Sequence, residues 1–571
     1  MTTVSMTPRN TLRIALAQCN PIAGDIAGNL AKARAARTEA AQTAADIILF
    51  PELFIAGYPP EDLVLKPAFQ LACRAACEEF SLDTADGGPK VLIGLPWVEE
   101  SRLYNAVALL QNGKLAELRF KGDLPNYGVF DEKRVFAAGM PALPLVIDGV
   151  RIGVPICEDI WTEASVASLA ANGAELLLVP NGSPYRRGVM IERRGIVSAR
   201  IHESGLPLAY LNQIGGQDEL VFDGASFVTN ADGAVVAQLP AFSEAISIID
   251  AVRGEGGWRF EPASHPVSSA AVDEDEDDRA DYAACLLGLR DYVEKNRFPG
   301  VVIGLSGGID SALSAAMAVD ALGAERVHCV MLPYRFTSGE SLDDAAACAQ
   351  LLGIRYDILP IAEGVEGIEA ALRPLFANFA RDVTEENLQS RVRGTMLMAL
   401  SNKFGAMVVT TGNKSEMAVG YATLYGDMNG GFNPLKDLYK TQVYRLSTLR
   451  NGWKPAGALG PDGLVMPERI ITKVPTAELR ENQTDQDSLP PYDVLDDILA
   501  GLVEDEISVA QIVARGHAEE TVRRVERLLY LAEYKRRQSA PGVKITRRNF
   551  GRDRRYPITN RFRDTAPLNA S

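Results

Sequence analysis

Short apolar runs rich in β-branched residues alternate with alanine-rich segments over residues 1–251. The alternation predicts an α/β domain, with helices near 26–44 and 188–204. The clearest predicted strands are LRIALAQ, DIILFPEL, KVLIGLP, RIGVPIC, ELLLVPN and LPLAYLNQ. Three of these runs contain Glu52, Cys157 and Asn181 at or near their ends. Because ligand sites of α/β proteins lie at strand ends, these side chains predict a pocket.

A second α/β pattern follows a segment without periodicity. Residues 252–280 contain RGEGG, two prolines and the acidic run VDEDEDD, and they predict a linker. Residues 281–571 form the second domain, which becomes helical after about residue 490. It begins with a helix near 279–297, strand VVIGL, a helix from 310, strand VHCVMLP, a helix near 341–353, strand IRYDILP, long helices to 404 and strand AMVVTTG. This order predicts a doubly wound parallel sheet.

Composition narrows the class of protein. A chain of 571 residues exceeds what one hydrophobic core supports, and 47% hydrophobic with 23% charged residues is typical of globular proteins. No apolar run is long enough to predict a membrane span, and MTTVSMTPRN lacks a signal-peptide core, so we expect a cytoplasmic protein. Seven cysteines without a CxxC pair and four scattered histidines disfavour a disulfide framework or a zinc site.

The net charge of -16 disfavours nucleic-acid binding by the whole surface, but the charge is uneven. Residues 535–563 carry eleven Lys and Arg against the single Asp553. This basic tail has three interpretations: a solvated arm, a salt-bridging segment between subunits, or an RNA-binding segment. We favour the role between subunits, and therefore a homo-oligomer without nucleic acid.

A predicted strand leads directly into SGGIDS, residues 306–311, and then into a helix. Gly307 and Gly308 allow backbone N–H groups to approach an anion, and the helix N-terminus adds a positive dipole end. The loop is neither GxxxxGK[ST] nor GxGxxG, which disfavours P-loop kinases and Rossmann dehydrogenases. The alternative is a glycine-rich helix cap without a ligand.

SGGIDS resembles the SGGxDS motif of ATP pyrophosphatases, which transfer AMP from ATP to an oxygen. The segments ENLQSRVRG, TTGNKSEMAVGY, YGDMNGGFNPLKDLYKTQVYRL, KVPTAEL and EYKRRQ resemble the NAD synthetase family over residues 280–550. This resemblance implies that ATP adenylates the nicotinate carboxylate of deamido-NAD and that ammonia then displaces AMP. One departure is Leu424, where the small ammonia-dependent members carry a lysine.

The resemblance also implies ligand contacts, with Mg²⁺ as the cofactor. The implied ATP contacts are Gly304, Leu305, Ser306, Gly307, Gly308, Ile309, Asp310, Ser311, Thr411, Lys440 and Thr476. The implied deamido-NAD contacts are Asn387, Arg391, Glu416 and Lys535. Asp310 and Glu416 are the implied metal ligands.

Three segments of the first domain carry candidate catalytic residues: Glu52 in FPELFIAGY, Lys121 in FKGDLPNYGVFDEKRVF and Cys157 in GVPICEDIW. Singly, each has a structural alternative: a carboxylate at a helix start, a surface charge or a core thiol. Together they resemble the nitrilase superfamily, an α-β-β-α sandwich, over residues 12–250. The resemblance implies Cys157 as nucleophile, Glu52 as general base and Lys121 as the cation that stabilises the oxyanion.

LPNYGVFDEKRVF is similar to the glutaminase domain of glutamine-dependent NAD synthetases, which implies glutamine contacts at Tyr127 and Ser183. Val189 departs from the lysine that is frequent at its position, and three nearby arginines are candidates to replace that charge: Arg186, Arg187 and Arg193.

Glu158 and Asp159 follow Cys157 directly and would raise its pKa if they faced the sulfur. We expect a sharp turn there that directs both carboxylates elsewhere.

Both sets of motifs favour an amidotransferase that takes ammonia from glutamine at Cys157 and uses it at the SGGIDS loop. Because free ammonia is mostly protonated in water, we expect an enclosed path for it. Three alternatives remain at this point: a hydrolase with a second domain that only binds nucleotide, an adenylating tRNA-modifying enzyme, and a nucleotide-sensing module.

Overall fold

The computed structural model describes residues 9–262 and 274–565. The chain divides into two compact units. Unit 1 comprises Met1–Gln217 with Val221–Val272, and unit 2 comprises Asp218–Leu220 with Asp273–Ser571.

Unit 1 is built on two layered sheets and four helices. Its strands are β1 (Thr11–Gln18), β2 (Ile47–Leu49), β3 (Lys90–Glu99), β4 (Arg102–Gln111), β5 (Lys114–Phe120), β6 (Leu145–Ile147), β7 (Val150–Gly153), β8 (Leu176–Asn181), β9 (Leu208–Asn212), β10 (Ile214–Gln217), β11 (Leu220–Asp223), β12 (Phe227–Thr229), β13 (Val235–Gln238), β14 (Ala245–Gly254) and β15 (Gly257–Pro262). Its helices are α1 (Ile26–Gln42), α2 (Pro67–Asp83), α3 (Glu163–Ala171) and α4 (Val189–Ser204).

One sheet of unit 1 has the order β15-β14-β1-β2-β3-β4-β5, and the other has the order β13-β12-β9-β8-β7-β6. Alternation along β1 explains the layering, because Leu12, Ile14 and Leu16 join the core shared with the second sheet. Ala15 and Ala17 face the opposite way, into a core that they share with α1 and α2. A third core packs α3 and α4 against the second sheet. The predicted α-β-β-α sandwich is therefore confirmed.

Unit 2 contains one four-stranded parallel sheet and twelve described helices. Its strands are β16 (Val301–Gly304), β17 (Val327–Met331), β18 (Arg355–Ile358) and β19 (Met407–Val409). Its helices are α5 (Glu274–Lys295), α6 (Ile309–Leu322), α7 (Gly339–Leu352), α8 (Ala362–Phe376), α9 (Val383–Phe404), α10 (Lys414–Val419), α11 (Lys440–Gly452), α12 (Glu468–Thr472), α13 (Tyr492–Val503), α14 (Val509–Ala514), α15 (Glu519–Leu531) and α16 (Glu533–Arg536).

The strand order β18-β17-β16-β19 confirms the predicted doubly wound parallel sheet. The chain proceeds from β16 to one side of the sheet and returns to place β19 on the other side. Ligands of such sheets bind outside the carboxyl ends of the strands at this reversal. The SGGIDS loop follows β16 and therefore lies at the reversal.

Two segments differ from the sequence predictions. Part of the predicted linker 252–280 is regular structure, because β14 continues to Gly254 and pairs with β15 through a hairpin that uses the glycines of RGEGG. Helix α5 begins at Glu274, and residues 263–273 of the predicted linker lie outside the described residues. The predicted strand RIGVPIC is also shorter, since β7 ends at Gly153 and a 3₁₀ helix begins at Cys157.

The basic tail is largely built into unit 2. Val543 and Ile545 are 1% and 0% exposed, and Lys544 forms an ion pair with Asp553. Arg554 forms an ion pair with Glu533 at 2.6 Å. Part of the tail therefore packs within unit 2, whereas Arg547, Arg552 and Arg555 are exposed. A role of the tail between subunits stays a prediction.

No helix among the described residues is long and apolar enough to cross a membrane.

Candidate functional site

The three predicted catalytic residues of unit 1 lie at the ends of neighbouring elements. Glu52 follows β2, Lys121 follows β5, and Cys157 begins the 3₁₀ helix after β7. Lys121 Nζ lies 2.7 Å from Glu52 Oε1, and both side chains are fully buried. Cys157 has a φ of 48°, a left-handed conformation that is strained for a residue other than glycine. Such strain is typical of a nucleophile presented on a sharp turn.

Two further residues complete this cluster. Glu132 accepts from Lys121 Nζ at 2.9 Å through each carboxylate oxygen, and the Tyr58 hydroxyl donates to Glu132 at 3.1 Å. The sequence prediction missed both, although Glu132 lies in the quoted segment with Lys121. The local sequence DEKR is the same for a buried glutamate as for a surface one. The residue that pairs with Glu132 is Lys121, which lies eleven residues earlier in the chain. Ion pairing to two carboxylates therefore holds Lys121.

Both oxygens of the Glu52 carboxylate accept hydrogen bonds. Its Oε1 accepts from Asn105 Nδ2 at 2.7 Å as well as from Lys121, and its Oε2 accepts from the Gly182 N–H at 2.9 Å. A carboxylate has about four lone-pair sites, so Glu52 can still accept a proton from a thiol. These bonds fix the orientation of the predicted general base.

Burial dominates the electrostatics of this cluster. Burial, reinforced by Glu52, raises the pKa of Cys157 well above its usual value, and Lys121 offsets part of that effect. Burial also raises the pKa of Glu132 to about 7, against the opposing effect of Lys121. Burial disfavours the charge on Lys121, but Glu132 and Glu52 together raise its pKa. The resting cluster therefore pairs a neutral thiol with a charged lysine.

The two carboxylates after Cys157 behave differently. Asp159 accepts from the N–H groups of Ile156, Gly122 and Asp123 at 2.8–2.9 Å, so its charge is directed at backbone. Glu158 accepts from the Tyr127 hydroxyl at 3.0 Å but also contributes to the raised pKa of Cys157. The expected turn thus directs Asp159 away from the sulfur, whereas the charge on Glu158 adds to the raised pKa of the thiol.

The two predicted glutamine contacts differ in exposure. Tyr127 is 54% exposed, whereas Ser183 is buried after β8. Arg193 donates to the Ser183 hydroxyl and carbonyl at 3.1 and 2.7 Å, and Asp223 neutralises its guanidinium at 2.8 Å. Of the arginines considered as replacements for the lysine missing at Val189, Arg193 therefore touches a predicted glutamine contact.

The raised pKa of Cys157 predicts how its reactivity changes with pH. Inactivation of glutamine hydrolysis by iodoacetamide should accelerate by about tenfold per pH unit from pH 6 to 9, because only the thiolate is alkylated and its fraction is small throughout. Protection by glutamine would identify the alkylated residue, and ammonium-dependent activity serves as the internal control. A plateau beginning near pH 6 would contradict this prediction, since it would require a lowered pKa.

The predicted ATP residues of unit 2 surround a cavity of about 310 Å³. Apart from Gly307 every predicted ATP contact lines it: Gly304, Leu305, Ser306, Gly308, Ile309, Asp310, Ser311, Thr411, Lys440 and Thr476. Gly307 shapes the loop instead. Its φ is 79°, and a Cβ there would lie 2.3 Å from the Ser341 carbonyl oxygen. Only glycine fits both restrictions.

A charged group lies at the start of α6. Lys440 forms ion pairs with Asp310 and, at 3.4 Å, with Glu416, while Asn413 Nδ2 donates to Asp310 at 2.9 Å. Burial, followed by repulsion from Asp310, raises the pKa of Glu416 to about 8. Asp485 also lines the cavity nearby. Three carboxyl groups and the ammonium of Lys440 therefore lie together where the phosphate loop ends.

These oxygen donors fit the implied Mg²⁺. No group of three or more candidate metal ligands occurs among the residues that the structure describes. Mg²⁺ is usually held by only one or two carboxylates together with substrate phosphates, which matches Asp310 and Glu416.

The predicted deamido-NAD contacts meet at one segment, residues 420–424. Lys535 Nζ donates to the carbonyls of Gly420 and Ala422 at 2.7 and 2.6 Å. Arg391 Nε donates to the Leu424 carbonyl at 3.2 Å, and Asn387 accepts from the Thr423 hydroxyl at 2.9 Å. Only Glu416 of this predicted set lines the cavity, although Tyr421 and Ala422 of the shared segment also line it. The cavity also contains Arg393 and Asp427, which the sequence prediction did not include.

Comparison with known proteins identifies the family of each half of the chain. A carbon-nitrogen hydrolase family model matches residues 13–257, and an NAD synthase model matches residues 282–539. A glutamine-dependent NAD(+) synthetase of Rhodobacter capsulatus is 54% identical over 97% of this chain and 99% of its own length. The glutamine-dependent NAD(+) synthetase of Xanthomonas campestris is 49% identical over 97% of this chain and 98% of its own length.

A solved structure gives the same result. The glutamine-dependent NAD(+) synthetase of Acinetobacter baumannii, in complex with ADP, is 42% identical with a TM-score of 0.76, and the match covers 97% of this chain and 100% of that chain. Identity of this degree over essentially the full length of several relatives means that the chain belongs to the glutamine-dependent NAD(+) synthetase family.

Proposed function

We propose that the chain performs the reaction of its family as a carbon-nitrogen ligase with glutamine as the amido donor. Unit 1 hydrolyses glutamine to glutamate and ammonia, and unit 2 uses ATP and that ammonia to convert deamido-NAD to NAD, releasing AMP and pyrophosphate. The observation that carries this proposal is the fully buried Lys121–Glu52 ion pair at strand ends next to Cys157, in the same chain as a phosphate loop at a sheet reversal.

In the first half-reaction, Glu52 takes the proton of the Cys157 thiol as sulfur attacks the glutamine carboxamide carbon. Lys121 stabilises the negative charge that develops on the carboxamide oxygen. The proton on Glu52 then passes to the departing nitrogen, which leaves as ammonia. Water, deprotonated by Glu52, hydrolyses the thioester and releases glutamate. The neutral resting thiol is the reason that a base next to the nucleophile is needed.

In the second half-reaction, backbone N–H groups of the SGGIDS loop and the N-terminus of α6 bind the pyrophosphate part of ATP. Asp310 and Glu416 would hold Mg²⁺, which when bound neutralises phosphate charge. Lys440 binds both carboxylates here and is placed to contact the phosphates. Asn387, Arg391 and Lys535 would then hold deamido-NAD, so that its nicotinate carboxylate attacks the α-phosphate and ammonia displaces AMP.

The test is an assay of NAD formation from deamido-NAD, ATP and Mg²⁺ with either glutamine or ammonium. Activity with both donors is expected, and each omission should abolish it. We propose further that ammonia passes from Cys157 to the second site through an enclosed path. In that case, ¹⁵N from labelled glutamine should enter NAD even when a tenfold excess of unlabelled ammonium is present. We also propose a cytoplasmic homo-oligomer, which light scattering of the purified protein would test.

Glu132→Gln is expected to lower kcat for glutamine hydrolysis by about 10²-fold, with a smaller effect on KM. The change removes one of the two carboxylates that keep Lys121 charged and in place. Steady-state kinetics of glutamate release would measure it. Glu163→Gln is the matched control, because Glu163 is exposed at the start of α3. An unchanged kcat in Glu132→Gln would contradict a role for Glu132 in orienting Lys121.

A further inference from the structure

Arg393 is a largely buried cation of unit 2 whose guanidinium is in direct contact with no carboxylate among the described residues. It lies on α9 and lines the cavity together with three other residues spaced along one face of that helix, namely Ser390, Gly394 and Leu397. In the part of the chain that the structure describes, its guanidinium makes one hydrogen bond, from Nε to the Leu332 carbonyl at 2.9 Å. Within the described ranges, no carboxylate oxygen lies within 4.0 Å of it.

Two fully buried arginines among the described residues are, by contrast, neutralised by carboxylates. Arg193 binds Asp223 at 2.8 Å, and Arg450 binds Asp320 at 2.6 Å. Burial lowers the pKa of Arg393 to about 10, with Asp427 and Glu478 opposing the shift, so it remains protonated at neutral pH. Because burying a charge without a partner costs free energy, a buried cation facing a cavity indicates an anionic or π-electron-rich ligand there.

The position of Arg393 indicates which part of the nucleotide it contacts. The polar part of the cavity, with Ser306, Asp310, Glu416 and Lys440, suits phosphates and metal. Arg393 is anchored instead to Leu332, which follows β17, the strand next to β16. The cavity wall there is apolar and consists of Val330, Met331, Leu332 and Leu397. An apolar wall beside a planar guanidinium suits a purine, which arginine can stack on and hydrogen-bond to.

We propose that Arg393 binds the adenylate moiety of ATP and retains it in the acyl-adenylate that ammonia attacks. This inference rests on the proposed use of the cavity for ATP. It makes Arg393 a binding residue for the group that is transferred, separate from the loop that binds pyrophosphate. Lys440 and the SGGIDS loop would hold the leaving pyrophosphate, and Arg393 would hold the AMP that stays.

Arg393→Met should weaken binding of α,β-methylene-ATP and of AMP by tenfold or more, measured by calorimetry in the presence of Mg²⁺. Inhibition by pyrophosphate, the KM for deamido-NAD and glutamine hydrolysis should each stay within about twofold of the wild type. Arg393→Lys should give an intermediate loss, because it keeps the charge but lacks the planar group. Lys403→Met, an exposed position on the same helix, is the matched control.

Three outcomes would overturn the proposal. One is unchanged affinity for α,β-methylene-ATP in a variant that still hydrolyses glutamine. Another is a loss confined to the KM for deamido-NAD, which would assign Arg393 to the other substrate. The last is equal weakening of pyrophosphate and AMP, which would indicate only a general charge effect. If Arg393→Met does not fold, Arg393→Lys decides between the same outcomes. Failure of wild-type protein to bind α,β-methylene-ATP would instead contradict the proposed function.

Discussion

Replacing Cys157 with Ala is expected to lower NAD formation from glutamine by at least about 10³-fold and to leave formation from ammonium within about twofold. The thiol is the predicted nucleophile for glutamine, whereas external ammonium supplies nitrogen to unit 2 without it. Parallel assays with the two donors would measure the split. Because Ala removes one sulfur atom from a buried position, thermal unfolding should accompany the assays.

Cys77→Ala is the matched control for this experiment. Cys77 is also buried in unit 1, but it lies in the core between α2 and the first sheet. It should lose stability without losing the use of glutamine. If Cys157→Ala loses both activities while remaining folded, or if Cys77→Ala loses glutamine use alone, the assignment of the nucleophile is wrong.

Asp310→Asn is expected to lower NAD formation by at least about 10²-fold with glutamine and with ammonium alike. The change removes the carboxylate that contacts Lys440 and that would hold Mg²⁺ at the phosphate loop. Glutamine hydrolysis should persist, because the residues proposed for it all lie in unit 1. In a Mg²⁺ titration, NAD formation by the variant should either depend less on Mg²⁺ or need a higher Mg²⁺ concentration for half-saturation.

Asp343→Asn provides the control for loss of one negative charge in unit 2, since Asp343 is exposed on α7. It should keep both activities. Retained synthesis in Asp310→Asn, or loss with glutamine only, would remove Asp310 from the proposed ATP site.

The comparisons and the structure argue, to different degrees, against the three alternative functions that the sequence left open. Full-length identity to glutamine-dependent NAD(+) synthetases argues against a simple hydrolase and against a sensing module. An RNA-binding role for the basic tail loses part of its support, because Lys544 and Arg554 are buried and paired with carboxylates, although Arg547, Arg552 and Arg555 are exposed. A guanidinium or ammonium that is already paired and buried is not available to a phosphate backbone.

Local patterns predicted much of the fold and of both sites. A short apolar run predicted β1, and the strand, glycine loop and helix in succession predicted the start of unit 2. The pairing of short strands was less predictable. The glycines of the β14–β15 hairpin are typical of flexible segments, so the sequence predicts a linker there. Only the pairing of the two strands identifies the segment as a hairpin.

The sequence by itself determined the family, the α/β class and the identity of the residues proposed for catalysis, because each motif is contiguous and carries its own chemistry. Only the tertiary structure decided which charged groups pair with one another. It gave Lys121 a second carboxylate in Glu132, directed Asp159 at backbone N–H groups, and left Arg393 without a contacting carboxylate among the described residues. The physical reason is that ion pairing and desolvation depend on distances of a few ångströms between residues far apart along the chain.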